Sequence, residues 1–136
     1  MKSALLTVVL MSLALPLWAT DVSTPDLAEL KWVSRPIVIF ADSPSDPRLA
    51  QQMANFEADP GDLDERDVVI VVDTDPGTLS ELRRKFRPRD FTVLVIGKDG
   101  EVKYRKPNPI TVREVARLID RMPLRQQEIE AQRTGN

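Results

Sequence analysis

Two runs of five apolar residues, Ile37 to Ala41 and Val68 to Val72, constrain this chain more than any other feature. Neither run alternates, so each reads as a strand covered on both faces, the pattern of parallel sheets. A helix stripe lies between them, with Leu49, Met53 and Phe56 at i, i+4 and i+7. Two parallel strands need such a right-handed crossover, so an α/β domain follows. Asp46 is an N-cap candidate with Pro47 at the first helical position, and Pro60-Gly61 ends the helix.

The second half completes a sheet. Thr78 and Glu81 stand at capping-box spacing, which predicts a helix from Thr78 with Leu79, Leu82 and Phe86 inward and Arg83, Arg84 and Lys85 outward. Phe91 to Ile96 is a third strand. Asp99-Gly100 predicts a two-residue type I′ hairpin, with Lys98 facing Glu101, Gly97 facing Val102 and Val95 facing Tyr104. Strand four is half polar, as an edge strand is, and Pro107 and Pro109 end it. A second capping box, Thr111 to Glu114, opens a helix with Val112, Val115, Ile119 and Met122 buried. The expected sheet order is four, three, one, two, with the first and last main helices on one face.

Around this domain, set at residues 35–123, lie three flanking pieces. Met1 to Ala19 has a charged start, an apolar run and a small residue before Thr20, the layout of a cleaved secretory signal. Residues 20–34 form a lead-in, with Leu27, Leu30 and Trp32 tucked against the domain. Residues 124–136 form a polar tail with a short exposed helix. After cleavage 117 residues remain, with all 21 acidic and 18 of the 19 basic residues, for a net charge of −3. That size suits one core, and that charge suggests no nucleic-acid partner. Export implies a periplasmic or secreted protein with no membrane span left after cleavage.

The chain has no cysteine and no histidine. Thiol–disulfide exchange, a Ser-His-Asp triad and histidine-based zinc sites therefore lack their reacting groups. Glu57 to Asp75 holds eight carboxylates against Arg66 alone, but it lacks the order of an EF-hand loop and reads as a solvated loop. No metal site, cofactor or catalytic residue is assigned. Arg83 to Lys106 holds nine basic residues against Asp90, Asp99 and Glu101. Two places are candidates for an anion or an acidic partner. One is the turn at Ser45, Asp46 and Arg48, at the start of the first main helix. The other is Lys98, Lys103 and Arg105, expected on one face of strand four, which can also accept a partner strand.

The element order is that of the thioredoxin fold. Ser45-Asp46-Pro47-Arg48 falls where thioredoxins carry the redox motif Cys-Gly-Pro-Cys, and Phe91-Thr92 falls where they place a cis-proline and threonine. Over roughly Asp26 to Glu130 the chain resembles the bacterial domain-of-unknown-function 4174 family, thought to be thioredoxin-like and related to C-terminal domains of vertebrate sushi-repeat extracellular proteins. The match rests on Arg35-Pro36, Phe40-Ala41, Asp46-Pro47-Arg48, Gly97-Lys98-Asp99-Gly100, Lys103 and Arg105. Ile119-Asp120, Met122-Pro123, Arg125 and Glu128 complete it. Leu124 stands where that family often has methionine, a volume-conserving change. The resemblance implies a thioredoxin-like, exported domain and no established activity. A redox-inactive binding domain for an anionic ligand or envelope protein is the leading expectation. A non-thiol enzyme using the Ser43 to Arg48 turn with Lys98 is the alternative, and a purely structural envelope protein is the third.

Overall fold

The structure, a computed structural model, describes residues 26–135; the expected signal peptide and the first six residues of the lead-in, 20–25, lie outside them. A short helix α1 (Leu27–Leu30) leads to strand β1 (Arg35–Phe40), whose six residues are all buried. Helix α2 (Pro47–Glu57) and the single turn α3 (Pro60–Asp64) carry the chain to β2 (Val68–Asp73), parallel to β1. A 3-10 turn (Pro76–Thr78) and helix α4 (Glu81–Phe86) precede β3 (Thr92–Ile96) and β4 (Val102–Lys106). Helices α5 (Val112–Asp120) and α6 (Pro123–Thr134) close the fold.

The sheet runs β2-β1-β3-β4, the expected order, with β3 antiparallel to both neighbours. Because β1 and β3 are central, alternate residues feed two cores. Ile37, Ile39, Val93 and Val95 pack with Leu49 and Phe56 of α2, Leu63 of α3 and Val115 and Ile119 of α5. Val38, Phe40, Leu94 and Ile96 pack with Leu82 and Phe86 of α4 and Leu27 of α1. Thus α2 and α5 share a face. Gln52 is fully buried in the α2 stripe, where its amide exchanges two hydrogen bonds with the backbone of Ile110, at 2.8 and 2.9 Å. This satisfies both ends of a polar group that burial would otherwise penalise.

Four local expectations are corrected. Within the acidic segment Pro60 starts a helical turn rather than only ending α2; Asp59 caps it, and Leu63 enters the core. Helix α4 begins after Ser80, whose hydroxyl accepts from the Arg83 N–H, because Asp75 captures Thr78 in the preceding turn. That places Leu79 in a left-handed conformation (φ 47°) with its side chain outside. Trp32, expected to tuck in, is 63% exposed.

The β3–β4 turn also differs. Type I′ requires positive φ at both Asp99 and Gly100, and only Gly100 has it (φ 81°). Instead Gly100 N–H bonds the Gly97 carbonyl across a four-residue turn, and β4 gains a bulge, so that Ile96 faces Val102 while Val95 still faces Tyr104.

Candidate functional site

At the carboxyl end of β1, Asp46 caps α2 as expected, accepting from the Arg48 N–H at 2.8 Å. Arg48 folds back onto the same carboxylate, with Nε at 3.1 Å and Nη2 at 2.9 Å, and also reaches Asp90 at 2.7 Å. Its guanidinium lies 5.3 Å from the Phe91 ring centre. The bond to Asp46 raises the Arg48 pKa, and Arg48 in turn holds the Asp46 and Asp90 carboxyls below their ordinary values. Ser45 bonds Ser43, hydroxyl to hydroxyl, at 2.8 Å. The helix start already holds a carboxylate, and its nearby cation is spent on that carboxylate and on Asp90.

Arg83, expected on the outside, is nearly buried beside this turn. It donates to Asp73 at 2.8 Å and to the Ala41 carbonyl at 2.8 Å, with its guanidinium 5.4 Å from the Phe40 ring centre. Asp73 also accepts from Ser80 at 2.6 Å. Arg83 therefore ties α4 to the carboxyl ends of both parallel strands.

Lys98 sits at the opposite end of the sheet. Since β3 runs antiparallel to β1 with Val95 opposite Ile37, Lys98 falls level with Ser34, about 20 Å along the strand from the carboxyl end of β1 that leads to Ser43 and Ser45. A Ser–Lys pair cannot form across that distance, so the turn with Lys98 is not one site.

What Lys98 does join is a network that packs α6 onto the domain. Its ammonium donates to Asp67 at 2.8 Å and Glu128 at 2.6 Å. Glu128 also receives Arg35 through two bonds, at 3.1 and 3.2 Å. Arg125, buried on α6, reaches Glu65, Asp120 and Glu128. Arg66 closes the ring on Asp120 with two bonds of 2.9 Å. Burial alone would raise the Glu128 pKa, but Lys98 and Arg35 outweigh it and hold the carboxyl below its ordinary value. Burial likewise opposes the Lys98 charge, and its two carboxylates outweigh that, raising its pKa. The tail expected at 124–136 is thus a docked helix. An i, i+3 pair, Arg125 and Glu128, was its only sequence signal.

The three cations expected to share a face are engaged by separate partners. Lys103 turns to Asp99 at 2.7 Å and Glu101 at 3.2 Å. Arg105 donates to the carbonyls of Phe86 and Arg87, which end α4. This fork satisfies carbonyls that a helix end leaves open, while its charge complements the helix dipole. Arg105 thereby joins Arg84, Lys85, Arg87 and Arg89, all exposed. Among the described residues no carboxylate lies within 4 Å of these five cations, whereas Arg35, Arg48, Arg66, Arg83, Lys98, Lys103, Lys106 and Arg125 are all paired. Unpaired charge thus gathers at the end of α4, while Arg113, Arg117 and Arg121 on and just after α5 are also exposed and without a carboxylate within 4 Å among the described residues. The sequence signal was the basic run itself; what it could not show was which members are neutralised.

The sheet order, the two-core packing and the αβ crossover define a thioredoxin-like fold, and comparison with solved structures agrees. A 2-Cys peroxiredoxin of Plasmodium vivax superposes with a TM-score of 0.58 at 12% identity, over 75% of this chain and 83% of that one. A thioredoxin-2 described as a component of malaria parasite protein secretion machinery gives 0.53 at 14%, over 65% and 84%. The mitochondrial 2-Cys peroxiredoxin of Plasmodium falciparum gives 0.53 at 15%, over 82% and 85%. At these identities the likeness is one of fold. Residues 26–128 match the model of the domain of unknown function DUF4174, and the chain belongs to that family. Arg35, Lys98, Asp120, Arg125 and Glu128, among the residues on which the resemblance rests, meet in the α6 network.

Proposed function

We propose that this chain is an exported, redox-inactive thioredoxin-like domain that binds an anionic partner through the basic surface at the end of α4. One observation carries the reading. Arg84, Lys85, Arg87, Arg89 and Arg105 stay exposed without carboxylate partners on a chain whose net charge is −2. Like charges held together gain nothing from isolated surface pairing and repel one another, so an external anion is the natural counter-charge. The composition supports the redox-inactive part, since no thiol exists to react. The signal-like layout of Met1 to Ala19 supports export to the periplasm or beyond. The α2 N-terminus, Lys98 and Lys103 drop out of the site because their charges are already met.

Retention on immobilised polyglutamate, eluted with a salt gradient, tests the reading. The parent should bind at low ionic strength and elute as screening shortens. Changing Arg84, Arg87 and Arg89 to alanine should advance elution without altering the circular dichroism. A parent that flows through, or a variant that elutes with it, removes the reading.

A further inference from the structure

We infer that the anionic partner is a bilayer surface rich in anionic headgroups, met by the α1–α4 face of the domain; this rests on the basic-surface reading above. Helices α1 and α4 cover the same side of the sheet and form the walls of an open groove of about 600 Å³. Lys31 stands on one wall and Lys85 on the other, and neither has a carboxylate within 4 Å among the described residues. Of the acidic groups on the rim, Asp26 is occupied as the α1 cap and Asp99 is held by Lys103. Among the described residues Asp26 has no cation partner and Glu81 is free, so these two balance Lys31 and Lys85 within the groove, and the excess positive charge comes from the residues beyond it. Arg84, Arg87 and Arg105 extend the basic surface beyond Lys85.

Exposed apolar groups lie beside these cations. Trp32 is 63% exposed, with the Lys31 ammonium 5.5 Å from its ring centre; Val33 is 63% and Leu79 58% exposed. Trp32 and Leu79 both hold left-handed backbone (φ 68° and 47°), which turns a large side chain outward at a steric cost. An exposed tryptophan with a lysine over its ring is the composition of a side chain seated at the headgroup level, apolar on one side and wet on the other.

The shape argues against an acidic peptide as the partner. The cations are spread over α1, α4, the loop after it and β4, rather than aimed at one point. The adjoining edge strand is blunted by its bulge and by Lys103 and Lys106, the devices that discourage strand addition. A field of headgroups matches a spread charge. Each lysine or arginine near such a surface strengthens binding roughly fivefold at moderate ionic strength.

The test uses the full chain and sedimentation with vesicles of phosphatidylglycerol in phosphatidylcholine, against phosphatidylcholine alone. The neutral vesicles account for any contribution of the apolar stretch Ala4 to Trp18. Binding should require phosphatidylglycerol and disappear near 1 M salt, where the Debye length is about 3 Å. Changing Arg84, Lys85 and Arg87 to alanine should weaken it about a hundredfold. Trp32→Gly, at a φ that glycine adopts freely, should weaken vesicle binding and leave polyglutamate elution unmoved. Equal binding to both vesicles, or unchanged phosphatidylglycerol binding in either variant, overturns the inference. Retention on polyglutamate without vesicle binding rejects the bilayer and leaves the basic-surface reading standing; failure on both removes both.

Discussion

Arg35, the first residue of the central strand, is closed from solvent by Glu128 of the last helix through two bonds that span 93 residues of sequence. Arg35 is 0% exposed, and its Nε has no hydrogen-bond partner. The charge is tolerated there because Glu128 and the Arg66 carbonyl meet its two terminal nitrogens, the latter at 2.9 Å. Removing one partner of a buried pair leaves the other charge uncompensated. Glu128→Ala should therefore destabilise the fold by about 3 kcal/mol, somewhat below the usual upper range because Glu128 keeps some solvent contact. Denaturant midpoints that coincide for the two proteins would show the pair to be incidental.

The same network fixes an acid limit. The folded pKa values of Glu128 and Asp120 lie below their ordinary 4.5 and 3.8. Their stabilisation is therefore complete above those ordinary values and is lost as pH falls through the folded ones. Acid unfolding should begin below about pH 4, with amides of α6 losing exchange protection first. Lys98, raised above 10.5, gives the opposite limb: its contribution holds below that value and fades at more alkaline pH. Hydrogen exchange followed against pH checks both signs.

Helix α4 offers a test of which hydroxyl is the cap. Ser80→Ala removes the bond to the Arg83 N–H and the one to Asp73, and should cost about 1 kcal/mol or slightly more. Thr78→Ala, on an exposed 3-10 turn, should stay within about 0.5 kcal/mol. The reverse ranking in chemical denaturation would restore Thr78 as the helix start.

The proposed export makes a chemical prediction as well. Sequencing the N-terminus of protein recovered from an exporting cell should read from Thr20, and intact Met1 on that material would count against cleavage after Ala19.

The strands, their order and the two main helices were legible because their signals are local and repeated: continuous apolar runs, a 3.6-residue stripe, caps at fixed spacing. Asp46 and Thr111 cap as their positions suggest. Thr78 was misleading because Asp75, Thr78 and Ser80 are all capping residues close in sequence, and local spacing does not rank them: Asp75 takes the Gly77 and Thr78 N–H groups and Ser80 that of Arg83. The charged residues were the least legible. Arg83 and Arg84 are neighbours of identical type, yet one is buried against Asp73 and the other is in solvent. Lys98 and Lys103 were separated from Arg105 by partners such as Glu128, distant in sequence, and by the bulge that redirected the hairpin. Charge position can be read from a sequence, but neutralisation depends on tertiary neighbours.

The outer margin of the sheet at β2 has a consequence for the chain before it folds. Val68 to Val72 is a short, uncharged, β-branched run without proline, the composition that zips identical chains together when left uncovered. Asp67 and Asp73 flank it. If two copies paired antiparallel about Ile70, each Asp67 would lie opposite an Asp73 of the other copy and the like charges would repel. In the folded molecule Lys98 and Arg83 neutralise these two carboxylates. The pair thus guards against aggregation most strongly while the chain is still unfolded, the interval in which a polypeptide is most exposed to its own copies.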